Sequence, residues 1–308
     1  MRGGVALALV VVAAACAGGC ALSDETPRVD SESSPRAGTL EALWRQPGED
    51  VGLVNGTADF APGEIRFSFL VVDRDGQAVS RPRARVWVAD ALRAEPFAET
   101  DAALEDVGVP GASSPAAGEV TKLYVTRLRL ERPGTYWVLA EPVGGRRIQA
   151  LGNVVVNART KSPPVGSPAP RSRTPTLATE PDISKLTTSD PPDRALLRHS
   201  VADSITDHAP FVVVFATPQF CASRTCGPVV DVVDRVRPEF ERGGVRFIHV
   251  EVYRDNDPSK GVNRWMREWR LPSEPWVFLV GRDGRIKAKF EGSVSVRELR
   301  ASVRTHLA

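Results

Sequence analysis

Two cysteines, Cys221 and Cys226, stand five residues apart where a strand is predicted to run into a helix. The strand is the apolar run FVVVFA at 211–216, and apolar residues at helical spacing begin after Cys226. The amino-terminal end of a helix carries positive potential, which favours a thiolate over a thiol. A thiolate there can attack a disulfide, and a second cysteine within reach can resolve the mixed intermediate. The pair is therefore a candidate for thiol–disulfide chemistry.

The spacing of this pair constrains its backbone. On a continuous helix, residues five positions apart point about 140° away from each other and cannot be bridged. We therefore expect residues 222–225 to form a loop or a distorted turn before the helix. Arg224 could lower the pKa of a thiol in this position, or it could be an ordinary exposed arginine. A structural disulfide that staples the loop is the alternative interpretation of the pair.

The amino-terminal segment predicts export. The apolar run 5–15 is too short to span a bilayer and is typical of a signal sequence. The sequence AGGC at 17–20 resembles the lipobox of bacterial lipoproteins, in which the cysteine is acylated. This resemblance implies a signal peptide over 1–19, lipidation of Cys20 and attachment to the extracytoplasmic face of the cell membrane. Cys16 is the poorer lipidation candidate, and an ordinary secretory signal is the other alternative.

Composition narrows the class of partner. The 308 residues carry a formal charge of +2 with acidic and basic residues mixed, which gives no argument for nucleic-acid binding. If Cys16 is removed and Cys20 is lipidated, two of the four cysteines remain to pair with each other. Export places this pair where disulfides persist. The partners we expect are thiols or disulfides of exported proteins, the membrane through the lipid anchor, and an unidentified redox partner.

Low-complexity segments divide the chain. Residues 20–47 form a polar tether, and residues 159–193 are crowded with Pro, Ser and Thr, as expected for a semi-rigid linker. These segments leave two units of ordinary domain size, 48–158 and 194–308.

The first unit shows strand patterns throughout. Apolar residues alternate along 64–73, 83–90 and 122–130, and further strands are predicted over 135–141 and 148–156, with turns at Gly-containing pairs. Six or seven short strands at this spacing predict a two-sheet sandwich. The pattern resembles the immunoglobulin-like domains of exported bacterial proteins. We interpret this unit as a spacer or protein-contact module.

Metal-ligand chemistry has little support in the sequence. Between residues 21 and 198 there is no His, Cys or Met, which argues against a soft-metal site in the first unit. In the second unit, His249 is the strand-borne candidate for a copper ligand, but the four histidines show no metal-ligand spacing. We therefore predict no metal.

The second unit alternates helix and strand patterns, and its order with cysteines at the first strand–helix junction resembles the thioredoxin fold. Pro275 before the strand WVFLV and a hairpin turning at Asp283-Gly284 carry the resemblance further. It implies a cis proline that presents the backbone of Glu274 to a substrate chain, with Trp276 bordering the site.

The catalytic pair implied by this resemblance is Cys221 and Cys226, with no bound cofactor. Two alignments compete. One makes Cys221 the nucleophile, and the other gives that role to Cys226. The pair is spaced C-x4-C where the family has C-x-x-C, and the buried acid of many members would fall near Val213, which is apolar.

The sequence thus predicts a multidomain chain: an amino-terminal all-β immunoglobulin-like sandwich, a linker and a carboxy-terminal α/β thioredoxin-like domain. The expected function is membrane-anchored thiol–disulfide oxidoreductase activity on exported proteins. The alternative is a non-enzymatic scaffold or binding lipoprotein in which the disulfide is structural.

Overall fold

The structure is a computed structural model that describes residues 35–109, 120–221 and 225–308. Residues 35–308 form one compact unit. The predicted signal segment, Cys16, Cys20 and Arg224 lie outside the described residues. Within the part of the chain that the structure describes, every helix is too short or too polar to cross a bilayer.

The first half of the described chain is a β-barrel preceded by a short helix. The helix α1 spans Leu40–Trp44, with Thr39 as its amino-terminal cap. The seven barrel strands are β1 Glu49–Asn55, β2 Gly63–Val72, β3 Arg83–Ala89, β4 Ala98–Asp106, β5 Lys122–Leu130, β6 Gly134–Pro142 and β7 Ile148–Val156. Alternate residues of each strand point inward, and in β2 these are Ile65, Phe67, Phe69 and Val71, all buried in the barrel core.

Closure of the barrel depends on β1. This strand pairs antiparallel with β2, where Gly52 faces Val72, and parallel with β7, where the same residue faces Leu151. The complete strand order is β1-β2-β5-β4-β3-β6-β7, and the last strand returns to the first. The predicted immunoglobulin-like sandwich is therefore wrong. A sandwich has two separate sheets, whereas here β1 joins the two halves into one closed sheet.

The second half contains a four-stranded sheet in the order β11-β10-β8-β9. Its strands are β8 Phe211–Phe215, β9 Arg246–Val250, β10 Trp276–Val280 and β11 Ile286–Glu291. Its helices are α2 Val201–Thr206, α3 Cys226–Phe240, α4 Arg264–Glu268 and α5 Val296–His306. One apolar cluster joins α3 and α5 to one face of the sheet, and a second cluster joins α4 to the other face.

The predicted fold class is also wrong for this half: the described residues do not form an α/β thioredoxin fold. The described chain is mostly β, with a closed barrel, a second small sheet and few helices. Only β8 and β9 are parallel in the second sheet, while β10 and β11 run antiparallel to their neighbours. Helices occur where the sequence predicts them, but α2 has six residues and α4 has five, so they add little to the helical content of the chain.

The Pro-, Ser- and Thr-rich segment between the two halves runs along the second sheet. The N–H of Gly166 donates to the carbonyl of Ile286 at 2.8 Å, and the N–H of Ile286 donates to the carbonyl of Ser167 at 3.0 Å. Further along, Ser172 Oγ accepts a hydrogen bond from the indole of Trp269 at 3.1 Å. The predicted domain boundaries stay predictions.

Ion pairs connect the barrel to the second half. Arg66 on β2 binds both carboxylate oxygens of Glu298 on α5, at 2.7 and 2.9 Å, and donates to the carbonyl of Ser293 at 2.9 Å. Arg297 forms a second ion pair, with Glu105 on β4. Since Arg66 and Glu298 are largely buried, this contact is shielded from solvent and fixes α5 against the barrel.

Candidate functional site

The candidate site begins at the carboxyl end of β8. All five residues of this strand are buried, as its continuous apolar run predicts, because β9 and β10 flank it and helices cover the sheet. The chain then passes through Thr217, which is also buried, to Cys221. Cys221 precedes the helix and Cys226 is the first residue of α3, with Thr225 at its amino-terminal end, whereas residues 222–224 of the expected loop lie outside the described residues.

Cys221 and Cys226 form a disulfide, with their Cα atoms 5.9 Å apart. Their surroundings differ sharply. Cys226 has no exposed surface and belongs to the apolar cluster beneath α3, whereas Cys221 is half-buried and packs at the edge of that cluster. Cys221 is therefore the more accessible residue of the pair.

The first turn of α3 contains no acidic residue: Gly227, Pro228 and Val229 follow Cys226. The partial positive charge of the helix end is thus not neutralised within that turn. This charge favours the thiolate form of a cysteine placed there once the disulfide is reduced.

A buried hydrogen-bond network holds the chain that leads to Cys221. His249 on β9 contacts the carbonyl of Ala216 through Nε2 at 3.0 Å and the hydroxyl of Thr187 through Nδ1 at 3.3 Å. Both ring nitrogens of His249 are therefore engaged within the protein. The structure shows no group of three or more metal-ligating side chains among its described residues.

Two further residues of this network were not predicted from the sequence. Glu251 Oε1 accepts hydrogen bonds from the N–H and hydroxyl of Thr188, and the hydroxyl oxygen of Thr188 accepts from the N–H of Gln219 at 3.2 Å. The end of the Pro-rich segment is thereby tied to the loop before Cys221. The only signal for Glu251 in the sequence was a carboxylate directly after the strand β9.

Glu274 and Pro275 lie beside β8, at the start of β10. The peptide bond between them is cis. Glu274 is half-buried, and burial raises the pKa of its carboxyl although a hydrogen bond from Tyr253 opposes this shift. Burial also raises the pKa of the Tyr253 hydroxyl, with the Glu274 carboxyl as the second cause. The predicted contact of Glu274 with a substrate chain stays a prediction.

Trp276 lies in the core of the second sheet, and its predicted position beside the site stays a prediction. Its side chain is 1 % exposed, stacks on Phe278 at 5.6 Å between ring centroids, and donates to Ser273 Oγ at 3.1 Å. It belongs to the apolar cluster on the face of the sheet opposite Cys226. The structure does not bring Trp276 together with the cysteines.

The barrel reaches the first turn of α3. Gly108, just after β4, forms a parallel bridge with Ser295, the amino-terminal cap of α5. A Cβ atom added to Gly108 would lie 3.0 Å from the Cβ of Pro228, two residues after Cys226. Val109 packs against the apolar cluster that contains Cys226. No residue of the first unit was predicted from the sequence to belong to the site.

A cleft of about 1430 Å³ lies between the barrel and α5. Arg66, Phe290 and Arg297 are among its lining residues, and neither cysteine lines it. Its size therefore gives no support to the disulfide site, which stands on the cysteines and their surroundings alone.

Comparisons with known proteins give no family for the chain. No protein-family model matches it, and no curated protein matches it either. Among solved structures, the solution structure of the PKD domain from the human VPS10 domain-containing receptor SorCS2 matches 48 % of this chain and 95 % of that chain. The sequence identity is 16 % and the TM-score is 0.17, so the likeness carries no argument about fold or function.

Proposed function

We propose that the protein exchanges thiols and disulfides with exported proteins through Cys221 and Cys226. The observation that carries this proposal is the unequal burial of the two cysteines: Cys221 is half-buried, and Cys226 is buried at the start of α3. Exchange needs one accessible sulfur to form the mixed disulfide and a second, protected sulfur to resolve it.

In the reducing direction, the Cys221 thiolate attacks a substrate disulfide, and the first substrate sulfur leaves as a thiolate. The Cys226 thiolate then attacks Cys221 Sγ, forms the intramolecular disulfide and releases the second substrate thiolate. Oxidation is the same sequence reversed, and a partner dithiol or disulfide protein returns the pair to its starting state. Accessibility favours Cys221 as the nucleophile.

Location is part of this proposal. The lipobox-like sequence before Cys20 supports a lipid-anchored protein on the extracytoplasmic face of the membrane. Mass spectrometry of the mature chain tests it, since an acylated Cys20 at the new amino terminus is the expected product.

The activity is tested by the reduction potential of the Cys221–Cys226 pair in the full chain in detergent, determined by thiol trapping in graded glutathione buffers. We expect a potential above about −250 mV, among exchange catalysts. A potential below about −300 mV is typical of a structural disulfide and would overturn the proposal. The second candidate function is a scaffold whose disulfide is structural. The complete burial of Cys226 favours it.

A matched pair of variants identifies the nucleophile. In a Cys226→Ser protein, Cys221 should accumulate a mixed disulfide with substrate, because nothing resolves it. A Cys221→Ser protein should form little mixed disulfide, because the remaining sulfur is buried. The opposite result would assign the nucleophile to Cys226.

A further inference from the structure

The cleft between the barrel and α5 contains a lysine that lacks an acidic partner. Lys289 on β11 lines this cleft and is half-buried. Its Nζ donates a hydrogen bond to Ser162 Oγ at 2.7 Å and lies 5.7 Å from the centroid of the Trp276 ring. Within the described part of the chain, the neutral hydroxyl of Ser162 is the one acceptor available to the three N–H groups of this ammonium.

The two carboxylates whose charges act on Lys289, those of Asp59 and Glu291, are engaged elsewhere. Asp59 accepts two backbone N–H groups and the hydroxyl of Ser162, at distances between 2.6 and 2.9 Å. Glu291 accepts two backbone N–H groups at 2.8 Å and the hydroxyl of Ser273 at 3.1 Å. Burial is the largest effect on the pKa of Lys289 and lowers it. The ammonium has therefore lost part of its hydration without gaining an ion pair.

Two arginines add positive charge to the same cleft. Arg159 and Arg270 line it, and neither side chain forms an ion pair or a hydrogen bond with another described residue. Arg270 is close enough to Lys289 for its charge to lower the pKa of the lysine. The remaining carboxylates that line the cleft are each paired with an arginine: Glu64 with Arg127, Asp101 with Arg83, Glu105 with Arg297, and Glu298 with Arg66.

Apolar surface lies close to Lys289. Pro164 and Val165 follow Ser162 by two and three residues, and both line the cleft and are exposed. Val165 is 56 % exposed, the largest exposure of a large apolar side chain in the described chain. The cleft volume of about 1430 Å³ is ample for an organic molecule, since ligand pockets typically measure about 300–1,000 Å³.

We propose that the cleft binds an organic anion, with its carboxylate or phosphate group on Lys289 and Arg270 and its apolar part against Pro164 and Val165. The oxyanion supplies the acceptors that the ammonium lacks within the protein, and charge-assisted hydrogen bonds are about twice as strong as neutral ones. Contact of the apolar part with Val165 removes area from water. Neither cysteine lines the cleft, so this site does not depend on the proposed exchange activity.

Isothermal titration calorimetry of the full chain in detergent tests the proposal with two pairs of anions and one neutral molecule. The pairs are phenyl phosphate with inorganic phosphate and benzoate with acetate, and the neutral molecule is benzyl alcohol. We expect saturable binding of an aromatic anion at millimolar concentrations, and the tighter of the two identifies the anionic group. It should bind about tenfold more tightly than its partner without a ring, because the ring adds the apolar contact. Benzyl alcohol, which has no charge, should not bind.

The decisive variant is Lys289→Gln, which removes the charge but keeps an N–H group that can donate to Ser162. It should weaken binding of the aromatic anion about tenfold, the effect of losing one charge-assisted hydrogen bond. Lys287→Gln is the matched control. Lys287 lines the same cleft on β11 but is paired with Asp283 at 2.7 Å, so its replacement should change the affinity by less than about twofold.

Arg270→Gln gives a second test at an exposed position, and it keeps the proposal falsifiable if Lys289→Gln does not fold. It should weaken binding about threefold, because it removes one partly screened charge from the site.

The outcomes separate the parts of the proposal. A wild-type chain that binds neither aromatic anion overturns it. So do a Lys289→Gln protein with wild-type affinity and an equal loss in Lys289→Gln and Lys287→Gln, because the anion would then not be held at Lys289. Equal affinities for the aromatic anion and its partner without a ring would overturn the contact with Pro164 and Val165. None of these results bears on the exchange activity, which the reduction potential of the disulfide tests separately.

Discussion

The seven-stranded barrel and the four-stranded second sheet differ in the side chains that they offer for chemistry. All four histidines lie after residue 198, as do Cys221 and Cys226. The barrel core instead contains a stack of aromatic rings, with Phe69 lying 5.1 Å from Phe67 and 5.3 Å from Tyr124 between ring centroids. Among the described residues, histidine and cysteine are thus confined to one region, while the barrel core packs aromatic rings.

This difference does not make the barrel remote from the chemistry. Its strands β2 and β4 bind α5 through Arg66 and Arg297, and Gly108 contacts the first turn of α3. The barrel therefore contacts the helix that begins at Cys226 and the helix α5 beside it. Two substitutions measure the free energy that couples the two regions.

The largest effect is expected from Glu298→Gln, which removes the charge facing Arg66. Arg66 would be left buried without its carboxylate partner, and breaking a buried ion pair in this way costs about 3 kcal/mol of unfolding free energy. Gln keeps the capping interaction with Ser295, so the loss reports the ion pair. Urea unfolding at pH 7 gives the measurement.

The control for this substitution is Glu64→Gln. Glu64 pairs with Arg127 at 3.0 Å, and both side chains are more than half exposed, so its loss should cost about 0–1 kcal/mol. Equal costs for the two variants would show that the Arg66–Glu298 pair does not hold the barrel to α5.

The wild-type pH dependence gives a second check on the same pair. Burial disfavours the charged form of Glu298, but the hydrogen bonds and charge of Arg66 outweigh it and lower the pKa of this carboxyl. A lowered pKa in the folded state contributes stability that is present above the unfolded pKa of about 4.3 and is lost as the pH falls through the folded value. The difference between wild type and Glu298→Gln should therefore shrink in acid.

A smaller effect is expected from Gly108→Ala. Gly108 has φ +83°, and its added Cβ would press on Pro228, so the variant should lose about 2 kcal/mol of unfolding free energy. Gly76→Ala is the matched control. Gly76 has φ +77°, and no atom lies within 4 Å of the new Cβ, so this variant should lose only about 1 kcal/mol of unfolding free energy, from the backbone conformation alone. Urea unfolding of both variants gives the two losses, and their difference is the cost of contact with α3. Equal losses would mean that the barrel does not press on the helix.

The sequence predicts individual elements of this molecule better than their pairing. The apolar run at Phe211–Phe215 is a buried strand, and the turn at Asp283-Gly284 joins β10 to β11, because both signals are local. By contrast, β4 has the sequence AETDAALED, which lacks an alternating apolar pattern. It is a strand because β3 and β5 lie on either side of it.

The predicted fold class failed for the same reason. Which strand edges meet depends on contacts between residues far apart in the chain, such as Gly52 with both Val72 and Leu151, and no local pattern encodes them. The candidate site shows this limit again. Its two cysteines were evident from their spacing, but the approach of Gly108 and Thr188 arises only from the assembled chain.

The smallest effect is expected at Asp193, which tests whether part of the pH dependence of stability arises in the helix layer of the second sheet. Burial and a hydrogen bond shared with Asp234 raise the pKa of Asp193 to about 6. A raised pKa means that the folded chain holds this proton more tightly than the unfolded chain, so stability falls as the pH rises from about 4 to above 6. Because the pKa of Asp234 shifts in the opposite direction, we expect the free energy of unfolding to fall by only about 1 kcal/mol.

In Asp193→Asn this fall should disappear, since Asn cannot release a proton and still accepts the N–H of Ala195. The measurement is the urea midpoint at pH 4 and pH 7 for wild type, Asp193→Asn and the control Asp207→Asn, whose carboxylate is 52 % exposed beside Arg246. The control should keep the wild-type fall. If Asp193→Asn keeps it too, the pH dependence between 4 and 7 does not come from this carboxyl pair, and the contact between barrel and α5 becomes the next place to look.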